Sequence, residues 1–303
     1  MSLAGGIWIP IVLAAALAQT ARNAAQRSLV DAAGTLAATL VRFLYGLPFT
    51  LVALPVALAA SGVPLPPVTA PFLAWTATGA IAQLAATVFL IRAMQARSFV
   101  VAVAYSKTEI LQIGVLSVVL LSEPPTLAVV GAIALASAGV VLLSVEPGAM
   151  RGAGPGPWIS ASAALGLASG ACFALSAVGY RGAAVELAHP MPWIAGICTL
   201  AWAQALQTVL LGGYLAARDR ARLAKVIVEW RLSLLAGAAG ALASMGWLTA
   251  FAMRSAVDVR IVGLVEVLYS YLVSRRFFAE RVSGRETLGI ALVVAGIVLV
   301  SAA

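Results

Sequence analysis

Residues 97–144 read RSFVVAVAYSKTEILQIGVLSVVLLSEPPTLAVVGAIALASAGVVLLS, and residues 254–301 read RSAVDVRIVGLVEVLYSYLVSRRFFAERVSGRETLGIALVVAGIVLVS. Moving the first by 157 positions lays it on the second from end to end without a gap. Glu109 falls on Glu266, Ser117 on Ser274, Glu123 on Glu280, Gly139 on Gly296 and Ser144 on Ser301. Each copy carries a glutamate within an apolar helix, a second glutamate at the end of that helix, and a closing apolar helix. The period is far too long for a solenoid, so the chain is built from two like halves. In membrane proteins, two such halves are the signature of transporter repeats.

The composition agrees. Of 303 residues, 62% are apolar and 10% charged, with a mean hydropathy of +1.03; a soluble chain has roughly 25% charged residues. The chain reads as a polytopic membrane protein in the lipid bilayer. Its net charge of +8 is spread over loops rather than gathered on one soluble module, which argues against a nucleic-acid partner. The first apolar run has no basic residue before it and no small-residue cleavage site after it, and is expected to be a retained helix. Cys172 and Cys198 lie in apolar segments and His189 is the only histidine, a set that makes neither a metal site nor a disulfide framework.

Ten apolar segments are long enough to cross the roughly 30 Å of hydrocarbon: residues 7–27, 35–60, 70–91, 99–121, 126–145, 158–180, 191–215, 231–253, 259–279 and 286–302. Lipid leaves no partner for unpaired backbone groups, so all ten are expected to be helices. The fold class that follows is all-α, with ten transmembrane helices as two inverted five-helix repeats. The first repeat spans 7–145 and the second 158–303, joined by a Gly/Pro-rich linker at 146–157. An odd number of crossings inverts the second half, so a pseudo-two-fold axis in the membrane plane and a shared cavity are expected. Ala216 to Glu229 reads as one long charged loop. Small residues spaced by four, such as Gly166/Gly170 and Ala236/Gly240/Ser244, suit close helix approach.

Charge at membrane depth is costly and therefore informative. Tyr105, Glu109 and Gln112 form a stripe at i, i+4 and i+7 on the fourth segment. Lys107 lies about 200° around the helix from Glu109 and needs another partner. Glu266, Tyr269 and Ser270 repeat the stripe on the ninth segment. Arg22 and Asn23, with Gln19 and Gln26, share a broad face of the first; Gln83 and Arg42 add one polar group each to the third and second. Glu109, Glu266, Lys107, Tyr105, Gln112, Tyr269, Arg22, Asn23 and Gln83 are the candidate substrate-binding or coupling residues. Each has a plainer reading. The two glutamates and Lys107 suit structural pairing between helices, and Arg22, Asn23 and Arg42 suit the interface. Glu123 and Glu280 suit helix termination in tight turns, and Tyr45, Trp75, Trp202 and Trp247 suit packing.

No Gly-x-x-x-x-Gly-Lys-Ser/Thr loop, Gly-x-Ser-x-Gly elbow or His-Glu-x-x-His pair occurs. Neither a cofactor nor enzymatic activity is expected, and transport would be passive or driven by an ion gradient. Desolvation disfavours a charged carboxylate, which is the chemical basis for suggesting proton exchange at Glu109 or Glu266.

Leu120-Leu121-Ser122-Glu123 and Phe277-Phe278-Ala279-Glu280 each precede a glycine-containing final helix, which opens with Val129-Val130-Gly131-Ala132 or Thr287-Leu288-Gly289-Ile290. With Arg42 in Leu40-Val41-Arg42-Phe43, this layout resembles the drug/metabolite transporter superfamily, in its ten-helix EamA-type branch, over essentially the whole chain. Ser122 and Ala279 stand where that family often has glycine. Ile110 and Val267 stand where a proline often follows the mid-helix glutamate, and Thr199 replaces the second copy of Arg42. The resemblance implies a multi-pass protein of the cell inner membrane that exports amino acids, other metabolites or drugs, as a monomer or homodimer. Sites of both charge signs suit a zwitterion such as an amino acid. A cationic-drug exporter and a membrane-embedded lipid-handling protein or enzyme are the other readings.

The resemblance implies cytoplasmic termini, whereas the charge distribution points the other way. Connections after odd-numbered segments hold Arg27, Arg92, Arg97, Arg151, Arg218, Arg220, Arg222, Lys225, Arg231, Arg275, Arg276, Arg281 and Arg285. Those after even-numbered segments hold only Arg181, Arg254 and Arg260. Basic loops face the cytoplasm, so this bias puts both termini outside.

Overall fold

The computed structural model of the chain describes residues 6–96, 108–144, 161–266, 268–269 and 284–302. Among them regular structure is entirely helical. The helices are α1 Trp8–Ala33, α2 Thr35–Leu44, α3 Leu47–Ser61, α4 Ala70–Ala96, α5 Glu109–Leu121 and α6 Leu127–Ser144. They continue as α7 Ala161–Leu187, α8 Pro192–Arg218, α9 Arg220–Val228, α10 Trp230–Met253, α11 Ala256–Gly263 and α12 Gly284–Ala302. Among the described residues, four stretches are long and apolar enough to cross a membrane: Thr35–Ser61, Ala70–Leu90, Pro192–Arg218 and Trp230–Met253. Shorter apolar helices accompany them at Glu109–Leu121, Leu127–Leu143 and Thr287–Ala302. The apolar side chains left outside, Val119, Leu127, Val209 and Leu242 among them, fit association with a membrane.

Local chemistry explains where the elements depart from the expected segments. The gap expected after residue 27 shrinks to Gly34, whose φ of 81° is open to glycine and few others; α1 runs up to it and α2 starts beyond it. The second segment, expected unbroken over 35–60, is interrupted at Tyr45 and Gly46, which pack tightly against Gly237 of α10 and Gln204 of α8. Thr50 Oγ1 donates to Gln204 Oε1 at 2.7 Å just beyond the break.

The stretch expected as a charged loop, Ala216 to Glu229, instead contains α9. Asp219 caps it by accepting from the Arg222 amide at 3.1 Å. Leu223, Val226 and Ile227 supply the helical apolar spacing that the surrounding arginines obscure. Similarly, α11 starts before residue 259, where the ninth segment was expected, because the Ser255 hydroxyl caps the Asp258 amide at 3.2 Å.

The chain divides into two compact units, residues 1–80 with 179–254 and residues 81–178 with 255–303. Each unit takes helices from both halves of the sequence, and α4 and α7 contribute a part to each.

In the first unit, α1 lies along α10, and α8 packs on α2, α3 and α10. Phe72, Ala183, Leu187, Ala195 and Cys198 form an apolar cluster. Val226 of α9 is fully buried, and its carbonyl accepts from Tyr45 Oη and Ser233 Oγ, both at 3.2 Å. These bonds fasten α9 to the helices beneath it.

In the second unit α6 lies along α12, and α11 touches α5, α6 and α12. The α6–α12 contact occurs twice over. A Cβ on Gly139 would come within 2.6 Å of the Gly289 carbonyl oxygen and 2.8 Å of Val293. A Cβ on Gly296 would come within 3.0 Å of the Ala132 carbonyl oxygen and 3.1 Å of Ala136. Positions 132, 136 and 139 of the first copy correspond to 289, 293 and 296 of the second, so both helices use the same patch on each other. Small residues at these positions let the two backbones come this close.

Candidate functional site

Glu109 stands in the first turn of α5 and is 9% exposed. Its partner is Arg260 of α11, from the other half of the sequence. Arg260 Nε donates to Glu109 Oε1 at 2.8 Å, and Nη2 donates to the same oxygen. The carboxylate and guanidinium side chains retain 11% and 25% of their surface. This is a charge-assisted pair that is mostly withdrawn from water, so its direct Coulomb attraction is stronger than at an exposed site while both groups have lost hydration. Gln112, one turn on, donates through Nε2 to Thr108 Oγ1 at 2.8 Å. Glu266 and Tyr269 are half-buried and follow α11 in the chain. Gln83, also half-buried, lies on the part of α4 within this second unit. Tyr105 and Lys107 fall outside the described residues, as do Ser270 and Glu280.

Arg22 and Asn23 belong to the first unit. Arg22 is 5% exposed, and its Nε and Nη2 donate to Asn23 Oδ1 at 3.2 and 2.7 Å. Its stem crosses Gly240 of α10, where a Cβ would sit 3.2 Å from Arg22 Cδ and 3.5 Å from Arg42 Cβ. Gln19, one turn before Arg22, accepts from Trp247 Nε1 at 3.0 Å. Trp247 is thus packed and hydrogen-bonded at once. The structure buries Arg22 and leaves Asn23 exposed. Glu123 lies in the turn that ends α5. Ser122 is left-handed there, with φ 55°, and the Ser122 and Glu123 amides both return to the Ser117 carbonyl, Glu123 at 3.1 Å, which closes the helix end.

Sequence reasoning overlooked three features. Arg260 was counted as a loop residue, although an acid at membrane depth needs a partner and Arg260 interrupts an apolar run. Gln204 and Gln207 are each 1% exposed and hold α8 in place through Thr50 at 2.7 Å and the Ala80 carbonyl at 3.1 Å; their i, i+3 spacing in an apolar helix was the available signal. Arg181, also counted as a loop residue, lies on α7 and donates to the Phe251 carbonyl at 2.8 Å.

No family model matches the sequence, and no curated protein matches it. Among solved structures, one described simply as a protein crystal structure aligns over 97% of this chain and 96% of its own. The TM-score is 0.72 and the identity 20%. At that identity the likeness shows a shared fold spanning nearly the whole chain.

Proposed function

We propose that the chain is a secondary transporter of the drug/metabolite type, with ten membrane helices in two inverted repeats, exporting small zwitterions such as amino acids across the cytoplasmic membrane. The observation that carries this reading is the Glu109–Arg260 pair. Opposite charges held together in an apolar environment can separate only if each gains a new partner. A zwitterion supplies both: its ammonium takes Glu109 and its carboxylate takes the Arg260 fork. A plain cation would bring a partner for Glu109 only, so the pair favours a zwitterion over a cationic drug.

Two kinds of helix contact support the inverted repeat. The reciprocal α6–α12 patch has the geometry of a two-fold axis crossing an antiparallel pair, which lies in the membrane plane if the helices span it. The sequence shift that relates the two copies also carries α1 onto α7 and α4 onto α10. The pairs α1–α10 and α4–α7 are therefore equivalent, and both pack closely: Ala15 meets Gly246 in one, and Gly79 meets Gly179 in the other.

The charge bias supports external termini. All three basic residues in the even connections are engaged, Arg181 with Phe251, Arg260 with Glu109, and Arg254 over the Trp8 ring at 5.6 Å. Arg218, Arg220, Arg222 and Arg231, in an odd connection, are exposed.

Counterflow in proteoliposomes loaded with an amino-acid panel tests the function. Zwitterionic amino acids should exchange and organic cations should not. Exchange of cations alone would replace this reading with the cationic-drug one. Glu109→Gln and Glu266→Gln should abolish accumulation driven by a pH gradient, and unchanged accumulation in both would remove the glutamates from coupling.

A further inference from the structure

The segment from Arg218 to Arg231 contains five basic residues (Arg218, Arg220, Arg222, Lys225, Arg231) and two acidic ones, Asp219 and Glu229. One acid is already engaged, since Asp219 Oδ2 lies 3.1 Å from Arg222 Nε. Fixed by the buried Val226, α9 presents its opposite side outward, and that side is mixed. Val228 lies near its centre with Arg220 beside it, and Lys225 and Ile227 stand at its two margins, by the 100° step of the helix. Ile227 is 61% exposed and Val228 74%. Trp230, directly after, is 51% exposed and carries the Arg231 guanidinium 5.5 Å above its ring.

A water-facing helix docked on a protein would turn its aliphatic residues inward. Here Val226 is inward and its two successors are not. Basic side chains interleaved with exposed aliphatic and indole groups match the boundary between phosphate headgroups and acyl chains. We propose that α9 and its flanks form a ledge that binds anionic phospholipid headgroups. Arg218, Arg220 and Lys225 take the phosphates, and Ile227, Val228 and Trp230 enter the acyl boundary. The site is part of neither charge pair described above, and it depends on the membrane setting but not on transport.

Native mass spectrometry on the full-length protein, released from micelles of equimolar phosphatidylglycerol and phosphatidylcholine, tests it. Wild type should retain phosphatidylglycerol preferentially. Arg218→Gln/Arg220→Gln/Lys225→Gln should lower that preference by at least about ten-fold. Ile227→Ser/Val228→Ser should lower retention with all charges intact. If the triple variant does not fold, the wild type decides alone, because its preference must fall as salt rises. Glycerol phosphate, the headgroup without tails, should displace little lipid. Equal retention of the two lipids by wild type, a folded triple variant with undiminished preference, or a salt-independent preference overturns the proposal. Displacement by glycerol phosphate as effective as by the lipid overturns it too, and makes the ledge a free-phosphate site.

Discussion

Arg260→Gln removes the cation from a carboxylate that is 9% exposed and has a guanidinium fork on one oxygen. Breaking a buried pair by deleting one partner costs about 3–5 kcal/mol. With a quarter of the Arg260 side chain still open, a loss of about 3 kcal/mol is expected, the lower end of that range. Glu109→Gln should cost a similar amount, because it removes the charged oxygen to which both Arg260 Nε and Nη2 donate. Glu109→Gln/Arg260→Gln exchanges two charges for two neutral amides able to hydrogen-bond each other. The double variant should therefore lose less than the sum of the single variants, by about 2 kcal/mol of coupling. Equilibrium unfolding of the detergent-solubilised protein, followed by tryptophan fluorescence, measures all four corners of the cycle. Single-variant losses that add to within about 0.5 kcal/mol would refute the pair as drawn. The same variants separate structure from function: the double variant should recover stability without amino-acid exchange. Recovery of both would mean that the pair only holds α5 to α11.

Gly237→Ala places a Cβ 2.5 Å from Tyr45 Cβ and 2.6 Å from its carbonyl carbon, and should cost about 1–3 kcal/mol in the same unfolding assay. Gly213→Ala, on the same kind of helix with nothing within 4 Å, should be neutral or stabilising by up to about 1 kcal/mol. Ser122→Gly should stabilise by up to about 1 kcal/mol, because Ser122 holds a left-handed φ of 55°, whereas Ser122→Val should destabilise. For orientation, Ala221→Cys puts a thiol at an exposed position of α9; the native Cys198 is buried and Cys172 half-buried. A membrane-impermeant thiol reagent should label Ala221→Cys only after lysis, and labelling of intact cells would place α9 outside.

Periodicity and composition carried the helical class, because lipid allows few other ways to satisfy a backbone whose side chains are this apolar. The internal repeat was legible for the same kind of reason: glycine and glutamate within apolar helices are constrained enough to survive as landmarks. Its structural counterpart, Gly139 on Gly289 and Gly296 on Ala132, follows from that spacing once the two helices are together. What the sequence did not contain was which charges meet. Glu109 and Lys107 are neighbours in the chain, yet the partner described for Glu109 is Arg260 in the other half, because an ion pair depends on which helices pack and not on sequence distance. The break at Tyr45 and Gly46 had a sequence signal in Gly46 and in Pro48 at the start of α3, but what it packs against, Gly237 and Gln204 on other helices, was not in the sequence. Helix α9 was hidden because its basic residues dominate its composition, while the contacts that seat it, among them the Val226 carbonyl under Tyr45 and Ser233, exist only in three dimensions.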